Sequence, residues 1–315
     1  MENLLFALNA VLPVFLLIIT GIFLKKLTIL DDQFIAKSTK LVFKVALPAL
    51  IFQKISRADF SQLFDGKEIF YIFLLVTGSF LIIFFLTGFF LKDGAERGAF
   101  IQGAFRSNIA IVGLAIISNV FGETGVARAA IALVFIFPMY NIYGVLALTL
   151  PLKRGAGENT AGKILKAIIT NPLIIAVFIA LPFSLFSIGT GHIVNSFLEY
   201  LSRMTLPLAL LGVGGSLSFS SFKKGFMKAL SASIIKLLIY PLLVVFILLA
   251  AGFRGEPLGV IFIMLGCPSA VSSYVMADAM GSDSNLAAGI ILITTLGSIL
   301  TIGAGIFILK SLGLI

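Results

Sequence analysis

The chain has 315 residues, of which 59% are hydrophobic and 12% charged, and its mean hydropathy is +1.14; a soluble domain carries about 25% charged residues, so that class is excluded. A net charge of +9 suits nucleic acid in principle, but the lysines fall in short loops between apolar runs rather than on one face of a domain. That excludes a nucleic-acid partner and fits the basic cytoplasmic loops of membrane proteins. With one cysteine, Cys267, and one histidine, His192, there is neither a disulfide framework nor a Cys/His metal cluster, and no cofactor is expected.

The apolar runs suit helices of about 20 residues rather than the short alternating strands of an outer-membrane barrel. The expected fold is therefore an all-α polytopic membrane protein with ten spans, at 4–24, 38–55, 69–91, 99–120, 126–149, 168–188, 193–217, 229–252, 257–280 and 286–309. The first span follows an acidic start without a small-residue cleavage site and reads as a retained helix. The second carries Pro48 in Ala46-Leu-Pro-Ala-Leu50, which marks a kink. The fourth contains Gly103-Ala-Phe-Arg-Ser-Asn-Ile-Ala-Ile-Val-Gly113, where Arg106, Ser107 and Asn108 lie between two glycines at membrane depth. Such a segment is unsuited to lipid and should face protein or water. The fifth span holds Asn141 between Tyr140 and Tyr143. The connector 153–166, with Gly155-Ala-Gly157, reads as a flexible cytoplasmic join between 1–152 and 167–315. Pro207 kinks the seventh span, and Lys236 lies about one turn before Pro241 in the eighth. The ninth contains Gly266-Cys-Pro-Ser-Ala-Val-Ser-Ser-Tyr274, where Pro268 removes one N–H from the ladder and three serines offer hydroxyls to the freed carbonyls.

Laid on itself with an offset of 159 residues, the chain pairs Pro13 with Pro172, Pro48 with Pro207, Lys44 with Arg203, Gly122 with Gly281 and Gly144 with Gly303. A repeat of five helices must place its second copy upside down in the membrane, the inverted-repeat design of many secondary transporters. The same offset sets Asn108 opposite Cys267 and Ile109 opposite Pro268. Thirteen basic residues fall in one set of loops and seven in the other. The richer side is expected to be cytoplasmic, with both termini extracytoplasmic.

Two interrupted helices at corresponding places in two halves point to a transporter's binding site. If they cross, the first N–H groups of their second halves and the positive dipole ends meet near the midplane, which suits an anion. The expected substrate residues are Arg106, Asn108, Asn141, Cys267, Pro268, Ser269, Ser272 and Ser273, with Gly103 and Gly113 framing the first break. The plainer alternative is that Pro268 kinks a helix while Asn108 bonds a neighbour. Arg106 reads either as a carboxylate ligand or gate, or as a guanidinium reaching the cytoplasmic boundary. Lys236 stands where a coupling cation would bind, or it pairs with a carboxylate. Asp278 takes up a coupling proton or is a solvated helix end.

Leu41-Val-Phe-Lys-Val-Ala-Leu-Pro-Ala-Leu-Ile-Phe52, Phe105-Arg-Ser-Asn-Ile-Ala-Ile-Val-Gly113, Leu206-Pro-Leu-Ala-Leu-Leu211 and Cys267-Pro-Ser-Ala-Val271 resemble the auxin efflux carrier family, whose members include plant PIN-type carriers and prokaryotic relatives linked to malonate and malate transport. The resemblance spans almost the whole chain. It implies ten helices with a crossover of the fourth and ninth, a scaffold of the first, second, sixth and seventh, and an organic-anion site at the crossover. Plant PIN-type members carry a long cytoplasmic loop between the halves; here that loop is short, so regulation by phosphorylation is not implied. Cys267 stands where other members often have proline or a small residue, which leaves the substrate open.

The expected function is secondary transport of a small organic anion, a carboxylate or dicarboxylate, by alternating access in a bacterial inner membrane. Its partners are that anion, H+ or Na+ as coupling ion, the lipid bilayer and a second copy in a homodimer. The rival within transport is a sodium-coupled bile-acid-type symporter. A channel is a further class, disfavoured by two interrupted helices that suit an occluding site. An intramembrane enzyme would need catalytic groups such as His-Glu-x-x-His, which the chain lacks.

Overall fold

In hydrocarbon no water meets backbone N–H and C=O groups, so long apolar runs satisfy them within helices. The computed structural model describes residues 2–57, 64–152, 169–217 and 225–315, and among these the secondary structure is helical apart from one isolated antiparallel bridge. The expected connector at 153–166 lies outside the described residues.

The helices are α1 (Glu2–Lys26), α2 (Asp32–Leu41), α3 (Leu47–Arg57), α4 (Gly66–Phe90), α5 (Gly94–Phe105), α6 (Leu114–Thr149), α7 (Pro172–Leu185), α8 (His192–Ser216), α9 (Phe226–Ile234), α10 (Tyr240–Ala250), α11 (Gly255–Gly266), α12 (Ser272–Ala279) and α13 (Ser284–Ser311). Several of their starts are set by side-chain caps that take up orphan amides: Asp31 accepts from Phe34, Asp93 from Ala95 and Glu96, Asn171 from Leu173, and Asp283 from Leu286.

Among the described residues five helical stretches are long and apolar enough to cross a bilayer: Glu2–Lys26, Gly66–Phe90, Ile109–Leu152, Phe226–Ala250 and Ser284–Ser311. Pro172–Leu185 and Gly255–Gly266 are shorter apolar helices. The Ile109–Leu152 stretch is divided at Gly122, whose φ of 63° and ψ of −146° no other residue type adopts readily. Large apolar side chains such as Phe89, Phe246 and Leu300 point outward, as a lipid-facing surface requires.

Among the described residues three π-helical turns interrupt the regular helices, at Val42–Ala46, Ile109–Gly113 and Ile235–Ile239. Two of them precede prolines, Pro48 and Pro241. A proline cannot donate to the carbonyl four residues back, and the extra residue of a π-turn absorbs the misfit while rotating the side chains that precede it.

The helices pack in two groups. In the first, α1 lies along α8 and α3 along α7, with α2 also against α8. The α1–α8 contact is backbone to backbone: a Cβ on Gly214 would overlap the Ile18 carbonyl, and one on Gly21 the Leu211 carbonyl. The second group holds α4 to α6 and α9 to α13, and it meets the first where α1 touches α13 and α3 touches α6. Phe80 stacks on Tyr143 at 4.6 Å, and Phe105 meets Tyr140 edge-on at 5.7 Å, giving the second group a rigid wall beside the first helix break.

Candidate functional site

The first break follows from its residues. The helix α5 ends at Phe105, Arg106 is extended with φ −82° and ψ 124°, and Asn108 adopts φ −85° and ψ 59° before the π-turn begins. The second break runs from Cys267 (φ −57°, ψ 153°) to Val271, around the proline that cannot continue the ladder. The two breaks satisfy each other. Ser107 and Ser269 form the isolated bridge, and the Asn108 N–H donates to the Pro268 carbonyl at 2.8 Å. The Ser107 hydroxyl donates to Leu265 O at 3.0 Å, the Ser269 hydroxyl to Gly103 O, and the Ser269 N–H to Thr294 Oγ1 at 3.1 Å.

Lys236 projects from the third π-turn into this knot, with 0% of its surface exposed. Its ammonium reaches Ser107 Oγ at 2.5 Å, Leu265 O at 2.9 Å and Phe105 O at 3.5 Å, so its three donors meet three oxygens. Phe105 closes α5 and Leu265 lies in the last turn of α11, so the cation sits between two helix C-termini. Each such end carries roughly half a negative charge, and together they offset about one positive charge. No carboxylate lies within 4 Å of Lys236 among the described residues.

In front of the crossing is a cavity of about 560 Å3. Arg106, Asn108, Asn141 and Ser272 line it, with Tyr140 and Lys40. Arg106 is only 7% exposed; its guanidinium donates to Met276 Sδ at 2.7 Å, and no carboxylate lies within 4 Å among the described residues. The Asn108 side chain makes no capping bond and faces the cavity, while the buried Tyr140 hydroxyl has no hydrogen-bond partner of good geometry. The first amides of the segments starting at Ile109 and Ser272 have no carbonyl one turn before them, and both residues line the cavity. A concave space with an unpaired guanidinium, two amides and two helix N-termini can orient a carboxylate.

The remaining expected residues lie behind or away from this space. Pro268 and Ser269 hold the crossing together, Cys267 is buried against Gly113, and the Ser273 hydroxyl is buried without a partner. Gly103 supplies a carbonyl to Ser269 and allows Ile290 to approach closely. Pro48 follows a π-turn in the first helix group, and Pro207 lines a different cavity. Asp278 is exposed near the end of α12 and lines neither cavity. Sequence reasoning passed over Asn171, Thr39, Lys40 and Thr294. Asn171 was detectable as the cap before Pro172, whereas Thr294 lies in an apolar run and gains its role only through the fold.

Apolar helices enclose a largely apolar cavity into which a few polar groups are set, and relatives along nearly the whole chain are named as transporters. The sequence profile described as Membrane transport protein matches residues 6–160 and 153–304, and the chain belongs to this family, that of the auxin efflux carriers. It is 27% identical over 294 residues to an "Uncharacterized transporter" of Methanothermobacter thermautotrophicus, covering 91% of this chain and 93% of the relative. It is 26% identical over 296 residues to a "Putative malonate transporter" of Rhizobium meliloti, covering 90% of each. The protein is accordingly a multi-pass membrane transporter.

Proposed function

We propose that this transporter carries a small organic anion, a carboxylate or dicarboxylate, by alternating access, with the anion held at the helix crossing by Arg106, Asn108 and the amides of the second half-helices. The observation that carries the reading is the buried, carboxylate-free Arg106 guanidinium beside Asn108 in the crossing cavity. A guanidinium at membrane depth is costly without an anion, and its fork matches a carboxylate in two hydrogen bonds. The relative named for malonate is in keeping with this chemistry.

The proposed architecture is ten spans in two inverted five-helix repeats, 1–152 and 167–315, joined by 153–166 on the cytoplasmic side, with both termini outside a bacterial inner membrane. Support comes from element bounds at the 159-residue offset: the stretch 32–57 corresponds to His192–Ser216, and Gly66–Phe90 to Phe226–Ala250. Gly122 and Gly281, equivalent by the same offset, have φ of 63° and 70°. The first helix group would be the scaffold and the second the moving bundle.

Lys236 bears on coupling. Its ammonium takes the oxygens that a bound cation at the crossing would need. A sodium ion placed about 4 Å from it would meet a repulsion of about 4 kcal/mol at an effective dielectric near 20. In this reading the chain supplies its own cation and needs no sodium at that position. Uptake of labelled malonate into proteoliposomes, with pH, sodium and potential imposed separately, is the test. Uptake that proceeds without sodium is expected, and absence of carboxylate uptake under every gradient would refute the reading.

A further inference from the structure

A second cavity, of about 490 Å3, lies at the other end of the interface between the two helix groups. Along the stretch 32–57 the crossing cavity takes Ala36, Thr39, Lys40 and Phe43, whereas the second takes Leu50, Gln53, Lys54 and Arg57. Fourteen residues from Lys40 to Lys54 correspond to roughly 20 Å of helix, and the two cavities have no lining residue in common.

The wall of this second cavity contains two polar groups that the fold leaves unmet. The Gln53 amide nitrogen and the Ser202 hydroxyl are buried without hydrogen-bond partners, in residues 2% and 8% exposed. A buried donor left unmet is costly, and a ligand accepting from it would relieve that cost. Pro13 and Pro207 also line the space, and each lacks the N–H that would let its helix run straight. Lys54, Arg57 and Arg203 face it against Glu123 and Glu199. Lys54 pairs with Glu123 and Arg203 with Glu199, each at 2.5 Å, leaving Arg57 without an ion pair among the described residues. The local balance is one positive charge in excess, and Ser118 and Asn119 share the lining with the two unmet donors.

We propose that this cavity is a second anion site, holding a small carboxylate on Gln53 and Ser202 within the positive field of Arg57. That its occupant is also the transported solute rests on the function proposed above; the site itself does not.

The test uses the full-length protein in nanodiscs carrying Ser202→Cys, with the parent, whose single Cys267 is buried, giving the background. An anionic sulfonate-bearing thiosulfonate should label the Ser202→Cys variant at least tenfold faster than a cationic trimethylammonium analogue, after correction for their rates on a free thiol. Acetate or malonate should slow that labelling, and adding Gln53→Leu should abolish the protection. Equal or reversed rates, or no protection by either acid, would overturn the proposal. Should the Ser202→Cys variant fail to fold, equilibrium dialysis decides: Gln53→Leu should remove one of two equivalents of labelled malonate bound by the parent, and a single equivalent unaffected by the change would overturn it. Protection without carboxylate uptake in proteoliposomes leaves this site standing and defeats the transport reading, whereas uptake without protection does the reverse.

Discussion

The Asn108 amide donates to the Pro268 carbonyl at 2.8 Å, so each interrupted helix supplies the partner that the other's break has left wanting. The bond is made by backbone atoms alone. The Asn108 side chain is therefore free to act on a solute while the main chain maintains the crossing.

Asn108→Ala should weaken malonate binding about tenfold, the worth of one or two hydrogen bonds, while the thermal melting point stays near that of the parent. Pro268→Ala restores an N–H to the ninth expected span and should lower transport even where the protein is made normally. Binding and melting measured on the same preparations separate the two. Parent-like behaviour in both variants would place the solute elsewhere.

Arg106→Ala should cost more binding than Lys44→Ala. Arg106 is buried at the cavity, where a charge-assisted bond is worth about 1.5–3 kcal/mol, or ten- to a hundredfold in affinity. Lys44 is exposed on a π-turn and should change affinity little. Equal, small effects in a malonate titration would count against Arg106 as a ligand.

Lys236→Met removes the ammonium and leaves Leu265 O and Phe105 O facing one another beside Ser107 Oγ. The variant should melt well below the parent, and sodium should raise its melting point while leaving the parent unchanged. A variant destabilised to the same extent with and without sodium would reduce Lys236 to a packing role.

Gly214→Ala should lower thermal stability by about 1–3 kcal/mol, because the new methyl overlaps the Ile18 carbonyl and two helices must separate. Gly303→Ala is the control, since nothing lies within 4 Å of the added carbon. Melting curves of the two in detergent should differ clearly.

Cysteine placed at Lys310, after replacement of Cys267, should be labelled by an impermeant reagent from outside intact cells. Labelling confined to inverted vesicles would reverse the proposed orientation.

The all-helical class, the two interruptions and the family were readable along the chain, because each rests on local causes: apolar length, a proline that cannot donate, an arginine that lipid will not accept, and short motifs in order. Polar residues at membrane depth likewise marked Arg106, Asn108 and Asn141, which the fold brings to one cavity. The role of Lys236 stood open between a carboxylate partner and a cation's place. The two helix C-termini that it bridges belong to segments far from it in sequence, so only their convergence decides that it meets carbonyls instead of an acid. The same holds for Gln53 and Ser202. Each looks like an ordinary polar helix residue until the tertiary structure sets them in one cavity and leaves both without a partner, because hydrogen-bond satisfaction is a property of what surrounds a group in space.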